Sequence, residues 1–238
     1  MADLAILTPT RGRPQQFAEL VKAVAATRGG GTITVWAGID DDDESDYGRA
    51  LAANLADTRP GVGLELRRGP RKSLSAWTNE LAAEALAAAD PPRYLASLGD
   101  DHRPRTFGWD AKLIHAIEAL EGPGFAYGND LFQGVKMPTA WVASAEVVRA
   151  LGWMMLPGCA HMYVDNAILE LGQASGRISY RSDVVIEHLH PLAGKASWDD
   201  SYRESNADER YVADRTAFKA WRTEYLVADA ATVAGLRR

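Results

Sequence analysis

Two adjacent carboxylates, Asp100 and Asp101, follow an apolar run at residues 94–98 and precede His102. Neighbouring carboxylates repel each other and stay ionised at low cost only beside a cation or in water. A divalent metal takes hard oxygen ligands, and a diphosphate would complete its coordination; a solvated Asp-Asp turn is the bland alternative. A second acidic cluster, Asp40-Asp41-Asp42-Asp43-Glu44, follows the β-branched and aromatic run 32–37. Near the other end of the chain stands Glu187-His188-Leu189-His190-Pro191. Period-two alternation sends His188 and His190 to one face of a strand, where a metal ligand or a structural pair would sit. Imidazole suits Mn²⁺ better than Mg²⁺.

These groups need elements to position them. Residues 4–7 are a short apolar run that stops at Thr8-Pro9-Thr10-Arg11-Gly12-Arg13-Pro14, a buried strand followed by a polar loop. Pro14 opens a helix with Phe17, Leu20, Val21 and Val24 at helical spacing, ended by three glycines. Strands are expected at 32–37, 62–66 and 94–98, with an Ala- and Leu-rich helix over 75–89. Alternating strand and helix implies an α/β fold with a mainly parallel central sheet flanked by helices. In such sheets ligands gather at the carboxyl ends of strands, and three of these ends carry residues 8–13, 40–43 and 100–102.

The second half is less regular. Helices are expected at 109–120, 145–151 and 164–171, strands at 125–127, 139–143 and 184–190, and a charged helical tail packed outside from Asp208. No repeat, low-complexity tract or linker interrupts the chain. It reads as a single domain over 1–238, with lobes of about 1–105 and 106–195 and a C-terminal extension of about 196–238.

A hydrophobic share of 47% supplies a core, and a net charge of −6 argues against a broad nucleic-acid-binding surface. Cys159 is the only cysteine, so no disulfide forms within the chain. No apolar run approaches the ~20 residues of a membrane span, and residues 1–7 lack the basic start of a signal peptide. These features lead to the expectation of a soluble, cytoplasmic protein with no transmembrane segment.

The strand, Thr-Pro-Thr-Arg-Gly-Arg-Pro, helix, strand ending in Asp40, helix with Asn79, then strand ending Leu98-Gly99-Asp100-Asp101 resembles family 2-type glycosyltransferases of the GT-A fold, over roughly residues 4–190. The resemblance implies a nucleotide-diphosphate sugar donor, a divalent cation (Mn²⁺ or Mg²⁺), and sugar transfer to an acceptor hydroxyl. Thr8, Thr10, Arg11 and Arg13 match the loop that touches nucleoside and diphosphate, and guanidinium forks suit phosphate. Asp40 matches the acid that binds base or ribose. Lys72 and Asn79 lie where the family places donor-binding groups. Residues 41–44 read as a solvated acidic loop.

Asp100 and Asp101 match the family's DXD motif in shortened form, with Gly99 where the first acid often stands. One assignment puts Asp101 on the metal, with His188 as a further ligand and Asp100 on the ribose or donor sugar. In the other, an Asp-x-His pattern lets Asp100 and His102 share the cation. His190 is a further candidate. Tyr163-Val164-Asp165 resembles the Glu-Asp motif opening a helix below the acceptor site, with Val164 in place of Glu. Asp165 is therefore the candidate general base of an inverting transfer, or a helix N-cap. Asp130 is the acceptor-contact candidate, and Trp109, Trp141 and Trp153 are rings that could stack on a sugar.

Other readings fit less well. A sugar-phosphate nucleotidylyltransferase would resemble this core but with a Gly-rich first loop, which Thr8-to-Pro14 lacks. A dehydrogenase needs a Gly-x-Gly-x-x-Gly turn after the first strand, and none is present. A glycosidase would need two carboxylates flanking an apolar cleft. A non-catalytic nucleotide-sugar-binding module would keep Asp40 and Asp100 and dispense with Asp165.

Overall fold

The computed structural model describes residues 3–55, 61–205 and 207–237. Its first half alternates strand and helix: β1 (Leu4–Thr10), α1 (Pro14–Thr27), β2 (Ile33–Asp40), α2 (Tyr47–Leu55), β3 (Val62–Gly69), α3 (Leu74–Ala87) and β4 (Tyr94–Ser97). Pro14 presets φ for the first turn of α1, whose Phe17, Leu20, Val21 and Val24 are buried. Ser73 starts α3 by accepting from the Ala76 N–H. Then follow β5 (His102–Pro104), α4 (Trp109–Glu118), β6 (Phe125–Asn129), β7 (Trp141–Ser144), α5 (Ala145–Leu151), α6 (Val164–Ser175), β8 (Ile178–His188), α7 (Asp200–Ser205), α8 (Asp208–Glu224) and α9 (Leu226–Gly235).

The strands form one sheet in the order β3-β2-β1-β4-β7-β6-β8-β5. β3, β2, β1 and β4 are mutually parallel, so their carboxyl ends share one edge. β7 enters antiparallel between β4 and β6, β6 and β8 pair in parallel, and β5 runs antiparallel to β8. The α/β class and the mostly parallel, helix-flanked sheet are thus as expected. Each sheet face has its own core. Along β1, Ala5 and Leu7 pack with Trp77, Leu81 and Ile168, while Leu4 and Ile6 pack with Phe17, Leu20 and Trp109, as strand alternation requires.

Several elements depart from expectation. α2 and the three-residue β5 carry too little periodic signal to be seen in sequence. β8 starts at Ile178 rather than 184 and stops at His188. Its first four residues, Ile178 to Arg181, are half-buried because they pair with β6 alone, β5 joining β8 only at 186–188. The tail is not merely external: Phe218, Trp221, Ala230 and Val233 enter the core beside Ile168 and Leu171 of α6. No helix among the described residues is long and apolar enough to cross a membrane.

Candidate active site

The carboxyl ends of β1, β2 and β4 open into a cleft of about 570 Å³, within the ~300–1,000 Å³ usual for small-molecule sites. Thr10, Arg11, Arg13, Asp40, Lys72, Asp100, Asp101 and His102 line it from the first half of the chain, and Asp165, His188 and His190 from the second.

At its floor Asp101 lies between two histidines. Its Oδ1 is 3.2 Å from His102 Nδ1 and its Oδ2 is 3.2 Å from His188 Nε2, and all three side chains are nearly buried. His102 and His188 face each other across the β5–β8 pair, which stacks their rings with centroids 4.2 Å apart. One ligand atom from each residue falls within a 4.8 Å group. His102 Nε2 and His188 Nδ1 are buried without a hydrogen-bond partner. Burial alone would raise Asp101, but the adjacent histidines outweigh it and hold the carboxyl well below its ordinary range. Two imidazole nitrogens and an ionised carboxylate are a donor set that fits a divalent transition cation. A Cβ on Gly99 would lie 2.7 Å from Asp101 Oδ1 and 3.1 Å from His102 Nδ1, so a side chain there would have to displace the Asp101 carboxylate.

Asp100 belongs to a different network. It accepts from the Thr10 hydroxyl at 2.7 Å and from Arg13 Nη1 at 3.2 Å. Burial pushes it up to about 6 against the pull of Arg13. The geometry therefore gathers Asp101, His102 and His188 and leaves Asp100 with the loop after β1. His190 stands beside this group, its ring centroid 5.1 Å from that of His188, and its Nδ1 accepts from the Leu192 N–H.

Arg13 reaches from Asp100 to Asp199, which takes its Nε and Nη2 at 2.7 and 2.6 Å. The guanidinium lies 3.8 Å from the centroid of the Tyr202 ring, and the Tyr202 hydroxyl donates to Asp101 Oδ2 at 2.8 Å. Asp199 and Tyr202 were not singled out in sequence, because nothing in the tail marks its return across the strand ends. Arg11 pairs with Asp40 at 2.9 Å and also with Asp42. Asp40 accepts from Trp77 Nε1 at 2.7 Å and from the Lys72 N–H at 3.2 Å. Lys72 Nζ pairs with Glu80 at 2.8 Å and sits 4.0 Å from the Trp77 ring centroid.

The solvated reading of residues 41–44 needs correction at Asp43. It is buried, accepting from the Gly12 N–H and the Tyr47 hydroxyl, each at 2.8 Å. Burial by itself would raise it, yet the hydrogen bonds from Gly12, Ser45 and Tyr47 bring it down to about 2. Asp43 thus anchors the loop that carries Arg11 and Arg13.

Three candidates lie off the cleft lining. Thr8 is wholly buried inside β1, because that strand continues three residues beyond the apolar run. The Asn79 amide clamps the loop after α5, accepting from Met154 and Met155 N–H at 2.8 and 2.9 Å and donating to Met155 O at 2.8 Å. Asp130 is consumed by its own turn, taking the N–H groups of Phe132, Gln133 and Gly134 and the Thr139 hydroxyl.

Asp165 lies in the first turn of α6, behind Tyr163 at the N-cap, and no side chain caps this helix. The cap reading is therefore not what the structure contains. Asp165 faces the cleft, where burial pushes its carboxyl up to about 7 and no hydrogen bond offsets the rise. Asp214 of α8, unanticipated in sequence, shapes the approach to it by accepting from the Ala160, His161 and Met162 N–H groups at 2.7, 2.8 and 2.7 Å. Of the three tryptophans considered, Trp141 forms cleft wall, Trp109 is fully buried and Trp153 packs on Trp221. Cys159 is buried, its thiol pushed up to about 12 by that burial.

No family model and no curated protein sequence matches the chain. Solved structures do. A mannosyltransferase from Pyrobaculum calidifontis, in complex with GDP-Man and Mn²⁺, superposes with a TM-score of 0.60 at 12% identity, over 97% of this chain and 73% of that one. Glucosyl-3-phosphoglycerate synthase from Mycobacterium tuberculosis, with Mn²⁺, UDP and phosphoglyceric acid, gives 0.55 at 13% identity over 99% and 79%. The catalytic domain of Drosophila β1,4-galactosyltransferase 7 with xylobiose gives 0.53 at 14% over 84% and 77%. At such identities the likeness is one of fold, and the fold is GT-A.

Proposed function

We propose that this protein is a divalent-cation-dependent glycosyltransferase that moves a sugar from a nucleoside-diphosphate sugar to an acceptor hydroxyl with inversion. The observation that carries the reading is the Asp101-His102-His188 group at the strand ends of a GT-A sheet, beside Arg13 and in the same cleft as the unpartnered Asp165. Structural neighbours that bind GDP-Man or UDP together with Mn²⁺ support it.

Asp101, His102 and His188 would hold the cation. When bound, it would neutralise diphosphate charge and so ease departure of the nucleotide. Arg13 and Arg11 stand at the loop where the diphosphate would lie, and Asp40 and Lys72 line the wall where the nucleoside would go. Asp165 takes the acceptor proton on a carboxylate oxygen. The acceptor oxygen then bonds to the anomeric carbon as the opposite bond to the diphosphate breaks, and the nucleoside diphosphate leaves with that electron pair. A base near 7 combines ionisation with proton affinity at neutral pH.

Calorimetry with UDP, GDP and the other nucleoside diphosphates, each with Mn²⁺ or EDTA, tests this. Binding should need the cation, and Asp101→Ala should weaken it by about 100-fold, about 2.7 kcal/mol. Asp183→Ala, at an exposed carboxylate on β8 paired with Arg181, should leave it unchanged. Tight binding indifferent to EDTA for every nucleotide would defeat the cation requirement, and equal effects at Asp101 and Asp183 would mean that the site is elsewhere.

A further inference from the structure

We propose that the acceptor is an amphiphile, a hydroxyl compound carrying an alkyl or aryl group, with that group held on an apolar shelf running from Asp165 to the mouth of the cleft. The inference deepens the glycosyltransferase reading and rests on it.

The cleft that Asp165 lines also carries a set of large apolar side chains. Met137 comes from the loop between β6 and β7, Met155 and Met162 from the one between α5 and α6, and Trp141 and Val164 join them in the lining. Methionine is flexible and polarizable, and it suits surfaces that adapt to varied apolar ligands. Trp141 Nε1 is buried without a hydrogen-bond partner among the described residues.

The apolar surface continues outward. Phe132 and Leu192 line the cleft, yet they are 38% and 63% exposed, with Leu131 at 49% and Trp198 at 42% nearby. Rings join them: Phe132 stacks on His190 at 6.1 Å, and Trp198 meets His190 edge-on at 6.4 Å. Lys195 Nζ reaches Leu131 O at 3.5 Å, tying the two rim loops together. Clustered exposed apolar side chains at a cleft mouth mark a binding surface rather than scattered surface residues, and each Å² covered returns roughly 25 cal/mol.

The cations lining the cleft are grouped with carboxylates and, at Arg11 and Arg13, with the place of the diphosphate. Every basic side chain lining the cleft already pairs with a carboxylate: Arg11 with Asp40 and Asp42, Arg13 with Asp100 and Asp199, Lys72 with Glu80, and Arg71 and Arg210 with Glu204. The lysine at the rim, Lys195, pairs with Glu187 at 2.9 Å. A bare sugar would leave the shelf wet, whereas an alkyl or aryl group beside the reacting hydroxyl would cover it.

The test uses the protein with Mn²⁺ and a saturating nucleoside diphosphate, titrated in a calorimeter with methyl, octyl and phenyl glucosides, galactosides and mannosides, the octyl compounds below their micelle concentration. For at least one sugar, the octyl or phenyl glycoside should bind tenfold or more tightly than the methyl one. Phe132→Ser/Leu192→Ser should abolish that difference while nucleoside diphosphate binding, which also reports the fold, is retained. Leu192→Ser alone, at an exposed position, should reduce it. Equal affinities across the series, no binding of any glycoside, or a preference that survives the double variant overturns the proposal. An octyl preference removed by the variants in a protein that binds no nucleotide would uphold the shelf and defeat the glycosyltransferase reading instead.

Discussion

The two ends of the cleft handle buried charge in opposite ways. Around β1, β2 and β4, carboxylates and guanidinium groups are paired with one another: Asp100 with Thr10 and Arg13, Asp40 with Arg11, and Asp101 with two imidazoles. At the start of α6, Asp165 has no such partner and is raised to about 7, chiefly by burial, with His188 opposing the rise and Asp130 and Asp101 adding to it. Paired groups are held in place, and their partners resist the effect of burial: the two histidines keep Asp101 low, and Arg13 pulls against the rise of Asp100. An unpaired, buried carboxylate ionises at a cost, and that cost is what makes it a stronger base. The contrast separates a region built to bind from one built to take a proton.

Removing the base should break the acceptor end and spare the donor end. Asp165→Asn keeps size and removes the proton acceptor, so sugar transfer, or donor hydrolysis by water while no acceptor is in hand, should fall by roughly 10²–10⁴-fold. Nucleoside diphosphate affinity, measured by calorimetry, should stay near that of the parent. Retained turnover would return the protein to the class of binding modules or place the base elsewhere.

The same variant sharpens the comparison through stability. Because the native carboxyl sits at about 7, above the ~3.9 of an unfolded aspartate, the native state holds a proton that the unfolded state has lost between those values. Stability must therefore fall as pH rises through that window. Asp165→Asn removes the penalty. The full shift would correspond to about 4 kcal/mol, but Asp165 opens partly to the cleft, and solvent screening reduces this to about 1–2 kcal/mol. Thermal denaturation should find the variant more stable than the parent at pH 8 and equal to it near pH 4. Parallel profiles would mean that Asp165 is solvated.

The smallest expected effect lies at the donor end. Asp199 occupies two of the donor atoms of Arg13 that a phosphate would use. Asp199→Asn weakens this competition, and nucleoside diphosphate binding should tighten by about threefold, the value of a partly exposed ion pair. Weaker binding in the calorimeter would show that Asp199 orients Arg13 rather than competing for it.

What sequence alone determined is the part governed by local rules. The run-and-break pattern of residues 4–14 requires a strand, a loop and a helix opened by Pro14, and the repetition of that pattern requires a parallel sheet whose carboxyl ends hold Arg11, Arg13, Asp40, Asp100 and Asp101. Tertiary structure decided which of those groups meet. His102 and His188 stack because β5 pairs with β8, and a three-residue strand leaves too little periodicity to be visible in advance. Asn79 and Asp130 looked available, but Asn79 satisfies backbone groups of the loop after α5 and Asp130 those of its own turn. Asp199 and Tyr202 reach Arg13 and Asp101 only because the tail folds back over the strand ends. Residue type and spacing say what a side chain is able to do; burial and the long-range partners that burial demands select the one thing it does.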